Sequence, residues 1–325
     1  MHILNIKLPF QRMNGVVVID KPAGMTSHDV VAHVRRISGI RKVGHTGTLD
    51  PLATGVLPVC LNEATKLVQF LANDDKEYRA TLLLGVRTDT LDTEGSVLSR
   101  EAPLVSRRQV EAVLKNFLGK RKQVVPRYSA VKVKGRALYD WSRRGIEVDP
   151  PEREVEIYDI RMEEFFLPEV VFTVSCSKGS YVRSFCAEAG EALGCGGCLS
   201  ALRRLRSGMF TLESAITLDG LLHGGGDGAA QFNVHKLTPL VELLPEFPLI
   251  EVDLPLAEKI RNGRQPEGDD LLRYHIPFLV EGDVVKLSTG KCRLVAVARM
   301  LCSSAELLAG RPNMQALKIL RVFND

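Results

Sequence analysis

The sequence predicts an α+β protein whose C-terminal end forms a second, small β-rich domain. Strand and helix patterns both occur along its 325 residues, but without the regular βαβ alternation of a doubly wound parallel sheet. At about 100–200 residues per domain, this length suggests two domains or one large domain with an appendage. After Pro248 the pattern changes, because one short helix is followed by short apolar strands. We therefore expect a domain boundary near residue 250.

Apolar periodicity and capping residues predict the elements of the N-terminal half. Pro22 ends the first strand, and Ser27 and Gly39 are natural start and stop signals for the first helix. Ser106 and Gln109 form a capping-box pair for a later helix. The predicted elements, in order, are a strand at 15–22, a helix at 27–38, a Gly/Thr-rich loop at 43–55, strands at 56–61 and 78–84, and a helix between 106 and 119.

The same rules predict the remaining elements. Thr238 and Pro239 indicate a helix start, since proline suits the first helical position, and Pro245 would end that helix. The other predicted elements are strands at 154–160 and 170–176, a helix at 181–193, a short helix at 256–262, and strands at 284–287, 294–297 and 317–322.

Composition and charge narrow the class of protein without naming a partner. The 43 Lys and Arg exceed the 39 Asp and Glu by a net charge of only +4. An odd count of seven cysteines in a chain of this size fits reduced thiols. No apolar run approaches the roughly 20 residues of a membrane span. Residues 1–13, an N-terminal extension, lack the apolar core of a signal peptide. We therefore expect a cytoplasmic protein.

The sharpest local signal is the loop KVGHTGTLDPLATG at 42–55. Its three glycines and three threonines allow the backbone to approach a ligand closely. Within it, Asp50 is followed by Pro51, which biases the aspartate backbone toward extended geometry. A carboxylate on such a loop can act as a nucleophile or a general base. The alternative is that Asp50 only caps a turn and that His45 is an ordinary surface residue.

A second signal is a basic segment at 119–145 that also carries aromatic residues. It holds nine Lys or Arg and one acid, together with the only tryptophan of the chain, Trp141. Cations that follow phosphates and rings that stack on bases are typical of an RNA-binding loop. A solvated charged face is the competing interpretation.

Two weaker signals follow. In SKGSYVR, Tyr181 and Arg183 stand at the predicted start of a helix, where backbone N–H groups attract anions. The segment LSALRRLR at 199–206 adds positive charge, and the alternative there is a solvated helix face. Cys195 and Cys198 form half of a zinc pattern without a partner pair, and no nucleotide-binding glycine motif occurs. We therefore expect neither a metal nor a cofactor.

Five segments, in this order, carry a resemblance to a known family: GVVVIDKPAGMTSHDVV, KVGHTGTLDPLATGVLPVCL, KEYRATLLLGVRTDTLDTEG, RYSAVKVKGRALYDWSRRG and KGSYVRSF. From about Gly15 to its C-terminus the chain resembles the TruB family of bacterial tRNA pseudouridine synthases. The resemblance implies a mixed-sheet catalytic domain at 14–249, with an RNA-binding loop at 119–145, and a PUA-type RNA-binding domain at 250–325. It implies that one uridine in the T loop of tRNA, position 55, becomes pseudouridine.

The resemblance also implies a role for each matching residue. Asp50 would be the nucleophilic carboxylate, paired with Arg183, and His45 would wedge into the T loop. Tyr78 would stack on the flipped uracil, Tyr181 would line the pocket and Leu202 would pack beneath the ring. In the basic segment, the expected phosphate contacts are Lys132, Lys134 and Arg136.

The chemistry fits this family and leaves alternatives. Isomerising uridine in place changes no oxidation state and releases no group, so no cofactor is required, whereas a base in a folded loop must first be flipped out. Asp50 could add to uracil C6, attack C1′ or aid deprotonation at C2′, and the residues do not choose among these routes. A guide-dependent relative and a non-catalytic tRNA-binding or folding protein are the alternatives. We expect a monomer that binds the T arm of tRNA.

Overall fold

The computed structural model describes residues 13–224, 230–232, 236–290, 292–309 and 314–324. Of the predicted N-terminal extension at 1–13, all but Met13 lies outside these residues, and Met13 itself is buried. No helix among the described residues is long and apolar enough to cross a membrane.

The strands are β1 (Gly15–Lys21), β2 (Val43–His45), β3 (Thr54–Leu61), β4 (Lys76–Leu84), β5 (Val86–Thr88), β6 (Val97–Arg100), β7 (Gly119–Val124), β8 (Lys132–Val133), β9 (Arg136–Ala137), β10 (Glu152–Phe166), β11 (Glu169–Cys176), β12 (Gly197–Ser207), β13 (Phe210–Thr211), β14 (Leu222–Gly224), β15 (Ala230–Phe232), β16 (Leu237–Thr238), β17 (Leu249–Glu251), β18 (Val284–Thr289), β19 (Arg293–Met300) and β20 (Leu317–Val322). The α-helices are α1 (Ser27–Ser38), α2 (Val68–Leu71), α3 (Arg107–Lys115), α4 (Leu138–Arg143), α5 (Val182–Ala192), α6 (Leu254–Arg261), α7 (Gly268–Leu271) and α8 (Ser304–Leu308).

A ten-stranded mixed sheet forms the centre of the larger part of the molecule. Its strand order is β16-β1-β3-β12-β4-β11-β10-β7, with β2 paired to β3 and β13 paired to β12. The β12–β3 pair is parallel, and the other described pairs of this sheet are antiparallel. The predicted α+β class is confirmed, because helices and antiparallel strands share one core without βαβ alternation.

The two faces of β1 show how the sheet is covered. Val17 and Ile19 pack in a core cluster with residues of α1, α3 and α5. Val16 and Val18, which point the opposite way by the strand period of two, pack with Leu294 and other residues near the C-terminus. The second, four-stranded sheet (β17-β18-β19-β20) has its own core and also covers the reverse face of the large sheet.

Most locally encoded elements are confirmed. The structure has the predicted strands at β1, β3, β4, β10, β11, β18, β19 and β20, and the predicted helices at α1, α3, α5 and α6. The capping box of Ser106 and Gln109 is present. At α1 the cap is Thr26 and not Ser27, because the Thr26 side chain accepts from the Asp29 backbone N–H.

Three predictions and one alternative interpretation are wrong, and each fails because of strand pairing between distant segments. The alternative interpretation of LSALRRLR as a solvated helix face fails because this segment belongs to β12, held between β4 and β3. The helix expected at Thr238 is replaced by β16, paired with β1, and a 3₁₀ turn at Leu240–Glu242. Residues 119–124 are no loop, because they form β7 against β10. Part of the predicted Gly/Thr loop, 43–45, is likewise a strand, β2.

Candidate active site

A cavity of about 480 Å³ opens where the 46–50 loop, β4, β12 and the start of α5 meet. Segments 129–132 and 177–183 form its other walls. The cavity brings together six of the predicted site residues: Asp50, Tyr78, Lys132, Tyr181, Arg183 and Leu202. His45, Lys134 and Arg136 do not line it.

The Asp50–Arg183 pair lies at the centre of this cavity. Arg183 Nη2 donates to Asp50 Oδ1 at 3.2 Å, and Arg183 Nε lies 2.9 Å from Asp50 Oδ2. The Arg183 side chain is only 4% exposed, whereas the Asp50 side chain is 35% exposed and faces the cavity. Burial raises the pKa of Asp50 above its ordinary value, and the positive charge of Arg183 opposes that rise. The guanidinium thus favours the ionised carboxylate and sets its orientation.

Two backbone carbonyls hold Arg183 in place. Its Nη1 donates to Thr90 O at 3.1 Å, and its Nη2 donates to Tyr128 O at 3.0 Å. A buried guanidinium whose two terminal nitrogens are held in this way is preorganised for one carboxylate geometry. Tyr128 also belongs to the basic segment, so the segment that was expected to contact RNA is connected to the Asp50–Arg183 pair.

A second carboxylate, Asp92, lies beside this pair and was not predicted from the sequence. Its Oδ2 is 3.8 Å from Arg183 Nη1, and its side chain is 6% exposed. Its Oδ1 accepts from Thr90 Oγ1 at 2.6 Å and from the Glu94 backbone N–H at 3.1 Å. Arg183 therefore lies between two carboxylates, and of these Asp50 is the one that faces the cavity. The only sequence signal was the density of acids and threonines in RTDTLDTEG.

The loop that carries Asp50 is held from β1. Lys21, a fully buried lysine, donates through Nζ to Met25 O at 2.5 Å, Pro22 O at 2.9 Å and Pro51 O at 3.3 Å. Burial lowers the pKa of Lys21 to about 8. The hydrogen bonds of Lys21, together with the proline that follows Asp50, thus fix the loop backbone and with it the orientation of the Asp50 side chain.

The aromatic and apolar walls come from strand pairing. Tyr78 on β4 and Leu202 on β12 are each 8% exposed and line the cavity. Tyr78 is the register partner of Arg204, two residues beyond Leu202, so the side chains of Leu202 and Arg204 share one face of the sheet. Tyr181 precedes α5, where its backbone exchanges two hydrogen bonds with the Gln123 side chain at 2.8 and 3.1 Å.

His45 lies at the end of β2, one residue before the cavity-lining Thr46. Its Nδ1 is buried without a hydrogen-bond partner among the described residues. Burial lowers the pKa of His45, which favours the neutral imidazole at neutral pH. The residue predicted as a wedge therefore precedes a wall residue of the cavity but is not itself one of its walls.

The basic segment divides into a structural part and an exposed part. Three of its cations have acidic partners: Arg121 with Glu188, Lys122 with Glu152 and Arg127 with Glu147. The remaining part includes the β8–β9 hairpin, which carries Lys132, Lys134 and Arg136, here called the hairpin cations. Among the described residues none of these three has an ion-pair partner.

Trp141 contributes to the fold of this hairpin. Its Nε1 donates to Val133 O at 3.0 Å, and the Arg136 guanidinium lies 5.1 Å from its ring centroid. The tryptophan thus contacts the hairpin at the Val133 backbone and at the Arg136 side chain.

Lys76 and Arg204, two further cations of the cavity wall, were not predicted as site residues from the sequence. Burial lowers the pKa of Lys76 to about 8.

The described residues contain no cluster of three or more His, Cys, Asp or Glu that could hold a metal. Cys195 and Cys198 are both buried in the core.

Comparison with family models gives two matches. Residues 35–182 match the N-terminal domain of the TruB family of pseudouridylate synthases. Residues 183–227 match the C-terminal domain of tRNA pseudouridylate synthase B. The second match includes β12, which lies inside the ten-stranded sheet, so strands of both matched regions belong to one sheet.

Curated proteins and solved structures with similar chains agree with these matches. The chain is 51% identical over 313 residues to tRNA pseudouridine synthase B of Syntrophus aciditrophicus (strain SB), covering 96% of this chain and 99% of the relative. It is 44% identical over 317 residues to the tRNA pseudouridine synthase B of Geotalea uraniireducens (strain Rf4), covering 96% and 98%. A chain of a Cbf5-Nop10-Gar1 complex is 30% identical, with a TM-score of 0.73 over 97% of this chain and 85% of that one.

Proposed function

The chain belongs to the TruB family of pseudouridylate synthases and isomerises uridine to pseudouridine in tRNA, and we propose that its target is the uridine at position 55 of the T loop. The observation that carries the proposal is a cavity in which the Asp50 carboxylate is held by a buried arginine and flanked by Tyr78 and Leu202. Such a cavity offers a base one exposed carboxylate, the aromatic side chains of Tyr78 and Tyr181, and the apolar side chain of Leu202.

In this proposal Asp50 is the nucleophilic carboxylate and Arg183 its partner. The reaction breaks the C1′–N1 bond, turns the base and joins C1′ to C5. C5 gives up its proton and N1 ends protonated, so the composition of the nucleotide is unchanged. Because nothing is oxidised or released, this chain's own residues suffice and no cofactor takes part. Asp50 is the carboxylate exposed to the cavity, whereas Asp92 is buried behind Arg183, which supports assigning the chemistry to Asp50.

Base flipping brings the uridine to this carboxylate. Extruding a base costs a few kcal/mol, which protein contacts must offset. We assign stacking on the uracil to Tyr78, packing beneath it to Leu202, and the second aromatic wall to Tyr181. His45, neutral and next to a wall residue of the cavity, would fill the place that the flipped nucleotides leave in the T loop.

Two surfaces would bind the rest of the tRNA. The hairpin cations continue outward from the cavity, since Lys132 lines it and Lys134 is exposed. The second surface would be the C-terminal domain. We assign residues 14–249 to the catalytic domain, with the RNA-binding segment at 119–145, and residues 250–325 to a PUA-type RNA-binding domain. The separate four-stranded sheet with its own core supports that division. We further propose that the enzyme acts as a monomer, without a metal, in the cytoplasm.

The test is incubation of the purified chain with an unmodified T-arm stem-loop RNA, without cofactor or any other RNA. Pseudouridine is measured by mass spectrometry after cyanoethylation. We expect product at position 55 and none on a matched stem-loop with cytidine there. A guide-dependent enzyme would leave the bare stem-loop unmodified, and a non-catalytic binding protein would retain it without product.

A further inference from the structure

Arg204 is a fully buried arginine in the wall of the catalytic cavity, 1% exposed, and the proposed roles do not use it. Its neighbours on β12 have carboxylate partners: Arg203 with Asp20 at 2.8 Å and Arg206 with Glu77 at 3.5 Å. Among the described residues no carboxylate lies within ion-pair distance of Arg204. Burying a cation without a counter-ion is costly, so the cation must gain its stability from dipoles around it.

The Arg204 side chain connects two parts of the site and faces a third. Its Nε donates to Val56 O at 2.6 Å on β3, and its Nη2 donates to Gly47 O at 3.2 Å in the loop that carries Asp50. Tyr78 is its direct cross-strand partner, so both side chains lie on the same face of the sheet, and both line the cavity. Because a guanidinium only donates, the Tyr78 oxygen is the acceptor in any hydrogen bond between the two side chains.

Gly55 lets β3 approach the backbone of Arg204 closely. A Cβ on Gly55 would lie 2.2 Å from Arg204 O, whereas one on Gly47 would lie at an ordinary contact distance of 3.5 Å from Arg204 Nη1. A bulge in the β12–β4 pairing follows directly after Arg204. Bulges re-aim side chains. The close strand approach and the bulge together fix the backbone from which the Arg204 side chain extends.

We propose that Arg204 is a positioning residue that acts through Tyr78. By anchoring the phenol oxygen, it sets the plane of the ring that faces the cavity and leaves the hydroxyl proton free for an acceptor on the bound nucleotide. This inference rests on the proposed function, since it requires Tyr78 to contact the flipped base.

The electrostatics of the pair agree with this geometry. Burial raises the pKa of Tyr78, and the Arg204 charge opposes the rise. The hydroxyl therefore stays protonated at neutral pH and is available as a donor to the nucleotide.

The test is a double-mutant cycle on the single-turnover rate, measured with enzyme in excess over T-arm RNA so that binding does not limit the rate. Misplacing a contact group by about 1 Å can cost about 100-fold in rate. We expect Arg204→Met to slow the wild type by about that factor, with RNA affinity within a few-fold. In the Tyr78→Phe background, which removes the anchored oxygen, the same change should cost at least about tenfold less, because contacting residues couple.

Two controls separate positioning from general damage. Tyr181→Phe removes the other phenol of the cavity, and in that background Arg204→Met should cost the full factor. Arg203→Met breaks the neighbouring ion pair with Asp20, and its effect should be the same with and without Tyr78→Phe. If Arg204→Met does not fold by circular dichroism, Arg204→Lys, which retains the charge but not the planar guanidinium, takes its place in the cycle.

The outcomes distinguish this inference from the proposed function. Equal rate losses from the Arg204 substitution in both Tyr78 backgrounds would overturn the positioning role, because the arginine would then act only through the fold. Absence of product with the wild type would instead overturn the proposed target.

Discussion

Replacing Arg183 by methionine should move the acidic limb of the pH–rate profile to higher pH. In the proposed function Asp50 acts as a carboxylate, so raising its pKa would lower the reactive, ionised fraction at any acidic pH. An opposite charge within about 4–6 Å lowers a carboxyl pKa by about 1–3 units. Arg183 lies 2.9 Å from Asp50, but 35% of the Asp50 side chain is exposed and screened by water. We therefore expect the acidic limb of the pH–rate profile to move to higher pH by about 1–2 pH units, in the lower part of that range.

Arg183→Lys separates the charge from the geometry. The ammonium retains the positive charge, so the acidic limb should stay within about half a unit of the wild type, a small part of the usual charge effect. Lysine cannot contact both oxygens of Asp50 and also donate to Thr90 O and Tyr128 O as the guanidinium does. Most of the rate should therefore be lost while RNA binding is retained.

The assay is the single-turnover rate between pH 5 and 9 for the wild type and both variants, with circular dichroism at each pH to confirm the fold. This pH range covers the region above the ordinary aspartate pKa, toward which burial moves the pKa of Asp50. If Arg183→Met reacted at the wild-type rate with an unchanged acidic limb, the pairing would have no role in the chemistry, and Arg183 would be assigned to RNA binding.

Four further predictions follow from the same structure. Asp50→Asn should abolish product while RNA affinity changes only a few-fold; turnover above about one part in a thousand of wild type would contradict the nucleophile assignment. Neutralising the hairpin cations together should weaken RNA binding and reduce the slope of log affinity against log salt by about one per lost contact, and an unchanged slope would indicate a solvated face. The pKa of Lys21 is about 8 in the folded protein and 10.5 ordinarily, so between these pH values the unfolded chain binds more protons than the folded one. The free energy of unfolding should therefore increase as the pH rises from 8 to 10.5. Denaturant titrations across this range should show the increase for the wild type, and Lys21→Met should lack this contribution. Gly55→Ala should destabilise the protein by more than about 3 kcal/mol, because the new Cβ would lie 2.2 Å from Arg204 O at a backbone φ of +98°. The control Gly44→Ala, whose Cβ would meet nothing nearer than 4.0 Å, should cost less than about 1 kcal/mol. Similar melting temperatures for the two variants would refute the close approach.

Local patterns in the sequence determined the elements whose own residues suffice to specify them. The alternation at β4 and the capping box of α3 involve residues at most a few positions apart, and both are present in the structure. Motif resemblance selected Asp50, Tyr78, Tyr181, Arg183 and Leu202, and the structure places all five around one cavity. Their chemical roles remain predictions.

Only the tertiary structure decided which charges face one another. Asp50 and Arg183 are 133 residues apart, and no local pattern encodes their contact. LSALRRLR has enough cations to resemble a solvated helix face, yet β3 and β4 bury Arg204 between them as part of a strand. Likewise, of the nine cations of 119–145, three have acidic partners brought close by folding, and the sequence does not show which three. The physical reason is that burial and charge pairing depend on neighbours brought together by folding, whereas periodicity and capping depend on neighbours along the chain.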